Sequence, residues 1–300
     1  MQRPFSQVDV FSSEPFAGNP VAVVHDGSGL TTEQMQRFAL WTNLSETAFL
    51  LPPDVPGADY QVRIFTPGAE LPFAGHPTLG TCHAWLAAGN EPAGADEVVQ
   101  QCAAGLVRIR RTQRGLAFAA PPLIRSGPVD EPLVERVAAQ LGIARAEIVD
   151  AQWADNGPGW LAVLLGSAQA VLDVRTPAQP MDVGVVGPYP PGAECDFEVR
   201  AFFSVGDRCL EDPVTGSLNA SLAQWLLATG RATAPYVVSQ GTVLGRKGRV
   251  HLLTGAGAAG AGAAGVGAAA AGAGVAGAGT AGDVWVAGAT VSRISGTVDL

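Results

Sequence analysis

The feature that most constrains this chain is an internal repeat. Residues 76–81, His-Pro-Thr-Leu-Gly-Thr, resemble residues 212–217, Asp-Pro-Val-Thr-Gly-Ser. Each copy follows a Val-Arg-x-Phe segment, at 62–65 and at 199–202, and each runs into an apolar segment that ends at a glycine. A repeat of this length predicts one strand–loop–helix unit used twice, so we expect two similar halves.

Each copy has the pattern of a helix start. Proline favours the first helical position, because its missing N–H costs nothing there. Asp212 before Pro213 is a good N-cap residue, and His76 is a poorer one. We therefore predict central helices over 77–88 and 213–229. The free N–H groups at such starts bind anions, so two starts that face one cleft could hold a carboxylate. Two ordinary capped core helices are the alternative.

The composition sets limits on the class of protein. The chain has 300 residues, of which 47% are hydrophobic and 15% are charged, which is enough for two domains with a full core. The formal net charge of −9 argues against a nucleic-acid or anionic-membrane partner. The N-terminus shows no basic-then-apolar signal pattern. The four cysteines have no Cys-x-x-Cys spacing, so we expect reduced thiols in a cytoplasmic protein.

The repeat and the composition together predict how the chain is divided. We expect an N-terminal half over 1–122 and a C-terminal half over 127–300. Residues 255–282 are almost entirely glycine and alanine, and such a tract buries little surface. We interpret the tract as a flexible insertion between two final strands. It contains almost no large apolar side chains, which argues against a membrane helix.

Glu46 is the strongest single candidate for acid/base chemistry. It follows a short predicted helix that begins with the capping pair Thr31 and Gln34 and ends near Asn43. It stands at the head of a strongly apolar strand, where a carboxylate is awkward unless it is paired or functional. Burial would raise its pKa toward neutrality, as a general acid/base requires. A solvated glutamate in the loop before the strand is the alternative.

Several ordered segments carry a resemblance to a known family. They are residues 16–20, 43–49, 73–77, 211–217, 239–241 with 244–246, and 286–289. These segments resemble the signature blocks of the phenazine-biosynthesis PhzF-like isomerase family, and the match covers nearly the whole chain outside the glycine–alanine tract. The resemblance implies the diaminopimelate-epimerase-like α/β (α+β) fold. In that fold two pseudo-symmetric halves each wrap a curved sheet around a central helix, and the site lies between them.

The resemblance also implies a function. It suggests an enzyme without metal or organic cofactor, commonly a homodimer, that acts on a small-molecule carboxylate. Glu46 would shuttle a proton, while His76 and Asp212 would hold and polarise the substrate. The groups that would bind the substrate carboxylate belong to Gly75, Gly216 and Ser217. The best-known reaction of the family isomerises a dihydro-hydroxyanthranilate by moving a proton between ring carbons.

Two other functions remain open at the level of sequence. An amino-acid racemase or epimerase of the same fold would use one thiol from each half. The sequence repeat instead aligns His76 with Asp212, which disfavours that chemistry. A catalytically idle homodimer that binds small molecules would keep the scaffold without the reaction. The joint presence of Glu46, His76 and Asp212 speaks against an idle protein.

Overall fold

A computed structural model describes residues 1–94, 97–255 and 283–300. Its first elements are β1 (Gln2–Val10), β2 (Asn19–Val24), α1 (Thr32–Thr42), β3 (Glu46–Leu51), β4 (Tyr60–Phe65), β5 (Glu70–Leu71), α2 (Gly75–Ala87), β6 (Glu97–Cys102), β7 (Gly105–Thr112) and β8 (Gly115–Ala119). The later elements are β9 (Arg125–Pro128), α3 (Glu131–Leu141), β10 (Ile148–Asp155), β11 (Leu161–Leu165), α4 (Ala168–Asp173), β12 (Val183–Pro188), β13 (Phe197–Val205), β14 (Arg208–Asp212), α5 (Gly216–Ala228), β15 (Tyr236–Gln240), β16 (Gly248–Thr254), β17 (Val284–Gly288) and β18 (Thr290–Asp299). Short 3₁₀ turns lie at Arg145–Glu147 and Thr242–Leu244.

The strands follow one pairing pattern twice. β1 pairs antiparallel with β2, β2 parallel with β3, β3 antiparallel with β4, and β4 parallel with β6, after which β6, β7 and β8 form antiparallel hairpins. The strands β10, β11, β12, β13, β15, β16 and β17 repeat these pairings in the same order. The short strands β5 and β14 form hairpins with β4 and β13. The predicted repeat is therefore present in the topology as well as in the sequence.

The two repeats exchange their terminal strands. β8 and β17 pair antiparallel and join the two sheets. Beyond that joint, β9 follows β8 in the chain and pairs with β10, whereas β18 follows β17 and pairs with β1. The C-terminal strand thus completes the first sheet, although we predicted it as part of the half at 127–300. The division of the chain into 1–122 and 127–300 stays a prediction, since strands on each side of it cross over.

A buried helix lies inside each curved sheet. α2 packs against β1, β2, β3 and β8, and α5 packs against β10, β16 and β17. Most of the residues of both helices are buried, and both are apolar around nearly their whole circumference, as expected for helices in the centre of a core. The central helices predicted from the repeat are therefore present, and they bring their N-terminal ends to the middle of the molecule.

The predicted helix starts are wrong in detail. α5 begins at Gly216 with Thr215 as its N-cap, so Pro213 precedes the helix. Asp212 is not an N-cap, because its backbone still pairs with Ala201 at the end of β14. α2 begins at Gly75, two residues before the predicted start, with Ala74 as its N-cap.

These starts also correct the register of the repeat. The two helices align Gly75 with Gly216, so the structural counterpart of His76 is Ser217 and not Asp212. The hairpin of β13 and β14 is longer than that of β4 and β5, which shifts the second Pro-x-x-Gly segment relative to its helix. The predicted alignment of His76 with Asp212 is therefore wrong, although both residues lie near the helix starts.

The arginine of each Val-Arg-x-Phe segment has a structural explanation. Arg63 on β4 pairs with Glu70 on β5 at 2.6 Å, and Arg200 on β13 pairs with Glu211 on β14, also at 2.6 Å. In the second repeat the pair is buried, and Arg200 also donates to the carbonyl oxygen of Val174, just after α4, at 2.6 Å. The repeated arginine therefore links the two strands of a hairpin. In the second repeat it also links this hairpin to the end of α4.

The segment that leads to Glu46 forms as predicted. Thr31 and Gln34 make a capping box at the start of α1, and Asn43 ends the helix in the left-handed conformation with φ of 54°. This tight end lets β3 begin at Glu46, next to β2. The predicted glycine–alanine insertion at 255–282 lies outside the described residues, apart from Gly255. Among the described helices, none is long and apolar enough to cross a membrane.

Candidate active site

The two central helices meet at Gly75 and Gly216. A Cβ atom built on Gly75 would lie 2.7 Å from the Cα atom of Gly216, and one built on Gly216 would lie 2.8 Å from the Cα atom of Gly75. Real Cβ atoms do not approach backbone this closely, so a side chain at either position would push the helices apart. The two glycines therefore allow the two helix N-termini to converge on one place.

The convergent helix starts leave backbone donors free. The first intrahelical hydrogen bonds run from the N–H of Thr78 to Ala74 in α2, and from the N–H of Asn219 to Thr215 in α5. Neither helix has a side-chain cap. The N–H groups that precede these bonds, together with two helix dipoles, form a site with a preference for anions.

Glu46 and His76 face each other at this place. Nε2 of His76 lies 3.3 Å from Oε2 of Glu46, and the two side chains are 3% and 15% exposed. The contact lacks the geometry of a full hydrogen bond, and neither atom has another partner among the residues that the structure describes. The side chain of Glu46 is thus largely removed from water and not that of a solvated glutamate, while its function stays a prediction. Two unsatisfied buried polar atoms side by side indicate a place where a ligand group binds.

Burial and charge set the protonation states of this pair. Burial raises the pKa of Glu46 well above its usual value, and the negative charge of Asp212 raises it further. Burial lowers the pKa of His76 to about 3, so its imidazole ring is neutral at physiological pH. The site therefore places a carboxyl group that readily carries a proton beside a neutral histidine, and a carboxyl group with a raised pKa is suited to proton transfer.

Asp212 is held by several donors. The hydroxyl of Thr215 donates to Oδ2 at 2.5 Å, and the amide of Asn19 donates to Oδ1 at 3.0 Å. Gln240 supports this arrangement, because its amide donates to the hydroxyl oxygen of Thr215 at 2.9 Å. Burial raises the pKa of Asp212, but Thr215, Asn19 and the hydroxyl of Ser45 oppose the rise. Of the two buried carboxyl groups, Asp212 therefore ionises first and Glu46 keeps its proton longer.

Ser217 is fixed by a loop of the second repeat. The indole N–H of Trp160 donates to Oγ of Ser217 at 3.2 Å, and the amide of Asn156 donates to its carbonyl oxygen at 3.0 Å. Because Oγ already accepts from Trp160, its own hydrogen is free to be donated elsewhere. Ser217 is thus oriented as a hydroxyl donor beside the helix start at Gly216.

The structure brings the predicted site residues together. Glu46 contacts His76, Asn19 connects His76 to Asp212, and a Cβ on Gly216 would lie 3.1 Å from the backbone nitrogen of His76. Their roles in catalysis and binding stay predictions. The sequence analysis missed five residues that organise this cluster, namely Asn19, Thr215, Gln240, Asn156 and Trp160.

One signal could have identified Asn19. Residues 16–20, Phe-Ala-Gly-Asn-Pro, repeat the pattern of residues 73–77, Phe-Ala-Gly-His-Pro, so Asn19 takes the place of His76 in its segment. Asn19 is the first residue of β2 and is completely buried.

The cysteine thiols are poorly suited to chemistry at the candidate active site. All four cysteines are free and buried, and burial raises the pKa of each thiol, in the case of Cys82 to about 12. Such thiols are poor nucleophiles and poor bases. Within residues 1–94, 97–255 and 283–300, no group of three or more His, Cys, Asp or Glu side chains is arranged to hold a metal ion.

Solved structures share the doubled sheet with a central helix in each half. In line with this, the fold matches the crystal structure of a Bacillus anthracis phenazine biosynthesis protein of the PhzF family with a TM-score of 0.76, covering 100% of both chains at 21% identity. It also matches a hydroxyproline epimerase from Agrobacterium vitis with a TM-score of 0.57, covering 99% of this chain and 92% of that one at 14% identity. The diaminopimelate-epimerase-like fold expected from the sequence is confirmed.

The chain belongs to the family described as phenazine biosynthesis-like protein, whose pattern matches residues 8–263. It is 33% identical over 264 residues to Antisense-enhancing sequence 1 of Schizosaccharomyces pombe, covering 82% of this chain and 88% of that protein. It is 34% identical over 277 residues to an uncharacterized isomerase of Mesorhizobium japonicum, covering 83% and 90%. Over 74 residues it is 58% identical to the trans-2,3-dihydro-3-hydroxyanthranilate isomerase of Pseudomonas aeruginosa, covering 25% and 26%. The protein is therefore an enzyme of isomerase type.

Proposed function

We propose that this protein isomerises a small cyclic carboxylic acid similar to dihydro-hydroxyanthranilate by moving one proton between two carbon atoms. Glu46 is the acid/base, His76 and Asp212 hold and polarise the substrate, and its carboxylate lies at the helix starts. The groups that bind the carboxylate are the backbone of Gly75 and Gly216 and the hydroxyl of Ser217. The reaction needs neither a metal nor an organic cofactor.

The observation that carries this proposal is the state of Glu46. Its side chain is only 15% exposed and its pKa is raised, and within the described residues its Oε2 atom has no hydrogen-bond partner beside a neutral histidine. A general acid/base works best when its pKa lies near the pH of the reaction, and burial moves a carboxyl group in that direction. The raised pKa therefore supports proton transfer rather than a structural ion pair.

The proton balance of the reaction is simple. Glu46 as carboxylate takes a proton from one carbon of the substrate, and the electron pair of that bond spreads through the adjacent double bond. The proton on Glu46 exchanges with solvent, and the protonated Glu46 then delivers a proton to a second carbon on the same face, so the enzyme ends as it began. The negative charge that develops near the substrate carboxylate faces the uncapped starts of α2 and α5.

The test is proton NMR of trans-2,3-dihydro-3-hydroxyanthranilate with the enzyme in deuterium oxide. We expect the wild type to convert the compound and to introduce deuterium at the carbon that receives the proton. Glu46→Gln removes the base while it keeps the size of the side chain, so conversion should fall by about 10²-fold or more. Glu135→Gln is the matched control, because Glu135 is an exposed residue of α3, and this substitution should leave the rate unchanged.

The outcomes separate the parts of the proposal. Conversion by wild type and by Glu46→Gln at similar rates would refute Glu46 as the acid/base. If the wild type does not convert this compound, the substrate part fails, and deuterium exchange into other small cyclic and amino carboxylic acids would then be measured. If no carboxylic acid exchanges although several bind, the alternative of a catalytically idle binding protein is correct.

The other alternative, an amino-acid racemase or epimerase, has weak support. Such enzymes use one thiol from each half, but His76 and Ser217 occupy the equivalent first turns of α2 and α5. The four thiols are buried elsewhere with raised pKa values. Deuterium exchange at the α-carbon of amino acids would be expected from a racemase and not from the isomerase.

The family resemblance also implies a cytoplasmic homodimer, and we include both in this proposal. Leu40 and Trp41 on α1 are large apolar side chains that are mostly exposed, which is typical of a surface that contacts another protein. Sedimentation equilibrium measures the mass in solution directly. A mass that corresponds to one chain at micromolar concentration would refute the dimer.

A further inference from the structure

The amide of Asn19 is placed between the two groups proposed to hold the substrate. Its Nδ2 atom lies 3.0 Å from Oδ1 of Asp212, 3.0 Å from the carbonyl oxygen of Val214, and 3.3 Å from Nδ1 of His76. Asn19 is completely buried and is the first residue of β2, where it pairs with Val10 at the end of β1. One buried amide therefore contacts groups from both repeats.

The orientation of this amide is determined by its neighbours. The carbonyl oxygen of Val214 can only accept a hydrogen bond, so the side of Asn19 that faces it has to be the NH₂ group. The carboxylate of Asp212 requires the same orientation. If the amide were turned over, its oxygen would face two acceptors in a buried place, which is strongly unfavourable.

The same orientation selects the tautomer of His76. The two hydrogens of the amide serve the oxygens of Asp212 and Val214 at 3.0 Å, so the longer contact with Nδ1 can only share one of them. A hydrogen on Nδ1 would oppose the amide hydrogens, which favours Nδ1 as the acceptor and places the ring proton on Nε2. The carbonyl oxygen of Pro20 is the competing acceptor near the ring. Its interaction with the ring raises the pKa of His76, against the larger effect of burial, and the amide of Asn19 contacts Nδ1 at 3.3 Å.

We propose that Asn19 is a positioning residue that holds His76 with its proton on Nε2, so that the exchangeable proton of Glu46 is carried on Oε1. Nε2 lies 3.3 Å from Oε2, and such catalytic contacts often tighten when substrate binds. Once Nε2–H donates to Oε2 in the substrate complex, Oε1 is the oxygen left to exchange a proton with the substrate. In the structure Oε2 is buried and has no hydrogen-bond partner among the described residues.

The part that concerns Glu46 rests on the proposed function, whereas the tautomer of His76 does not. The tautomer is measured without any substrate, by two-bond ¹H–¹⁵N correlation spectra of the full-length enzyme labelled with ¹⁵N-histidine at pH 7. The chain has four histidines, and the signals that vanish in His76→Gln identify the ring of interest. We expect Nε2 of His76 to show the signature of a protonated nitrogen and Nδ1 that of an unprotonated one.

A single variant tests the role of Asn19. Asn19→Asp keeps the shape of the side chain but turns the donor beside Nδ1 into an acceptor. We expect the proton of His76 to move to Nδ1 and kcat to fall by about 10²-fold, with a smaller change in KM. Asn90→Asp, at an exposed position after α2, is the matched control and should alter neither the spectrum nor the rate.

The outcomes decide the inference and the proposed function separately. A wild-type spectrum with the proton on Nδ1 would refute the inference, even if Asn19→Asp fails to fold. An unchanged His76 tautomer in folded Asn19→Asp would refute it as well. If the tautomer is as expected but no carboxylic acid is isomerised, the positioning by Asn19 stands and the proposed function is wrong.

Discussion

The backbones of Gly75 and Gly216 are in direct contact, so that a Cβ atom on either residue would lie less than 3 Å from the Cα atom of the other. This contact joins the first turns of the two central helices, and it lies next to Glu46, His76 and Ser217. The closeness of the helix starts therefore depends on two residues that have no side chain. The same contact brings the free N–H groups of both helices to one anion-binding place.

The first prediction concerns this contact. Gly216→Ala should destabilise the fold by about 1–3 kcal/mol, because backbone atoms have to move to accept the methyl group. It should also lower kcat, since the helix starts separate. Urea denaturation measures the stability. Gly166→Ala is the matched control, because a Cβ there meets no atom within 4 Å, and an equal loss in both variants would contradict the prediction.

The second prediction concerns pH. Glu46 has to be ionised to accept a proton from carbon, so its raised pKa should place the acid limb of kcat/KM at a higher pH than an ordinary carboxyl group would. Asp212→Asn removes a negative charge that raises this pKa. The acid limb should therefore move to lower pH, in addition to any loss of rate.

The pH–rate profile of each variant measures this shift. Asp207→Asn, at an exposed turn before β14, is the control and should leave the acid limb where it is. The pKa of His76 is lowered to about 3, so His76 should add no limb between pH 5 and pH 8. An acid limb that moves to higher pH in Asp212→Asn would show that the charge of Asp212 does not act on Glu46.

The third prediction compares the two repeated ion pairs. Arg200 and Glu211 are 3% and 5% exposed, whereas Arg63 and Glu70 are 25% and 35% exposed. Arg200→Met leaves a buried carboxylate without its partner, which should cost about 3–5 kcal/mol. Arg63→Met should cost less than about 1 kcal/mol.

The free energy of unfolding in denaturant distinguishes the two sites. The double variant Arg200→Met/Glu211→Leu should recover much of the lost stability, because the unpaired charge is gone. Equal losses in the two single variants would mean that burial does not determine the strength of these pairs.

The fourth prediction concerns the glycine–alanine tract. The N–H of Gly255 donates to the carbonyl oxygen of Asp283 at 3.1 Å, and Thr254 pairs with Val284 at the end of β16 and β17. The two ends of the tract are thus adjacent, so Asn-Gly in place of residues 256–282 should close a tight hairpin. The melting temperature should stay within about 2 °C, which is less than about 1 kcal/mol, and the activity should be nearly unchanged. A large fall in melting temperature would show that the tract packs against the protein.

Much of the secondary structure follows from local signals. The capping pair Thr31 and Gln34 marks the beginning of α1, and Gly142 ends α3 in the left-handed conformation. The buried residues of α3 recur at helical spacing. Such signals depend on neighbours in the chain, so they can be interpreted without the fold.

The helix starts show where local signals fail. Asp212 followed by Pro213 has the local pattern of an N-cap, yet Asp212 pairs with β13 and the helix begins at Gly216. The pairing of a strand with a distant partner overrides the preference of a dipeptide. The strand β18 is a similar case, because the choice of its partner β1 depends on which sheet edge is free in the folded molecule.

The sequence by itself determined the doubled architecture, the family and the identity of Glu46, His76 and Asp212 as candidates, because these depend on repeats and motifs within short segments. The tertiary structure decided the register of the repeat, the contact of Gly75 with Gly216 and the network of Asn19 around the candidate site. Asn19 lies far from Asp212 along the chain, and neither residue carries a local signal of the other. Their hydrogen bond and the raised pKa of Glu46 exist only because folding removes these groups from water and brings them together.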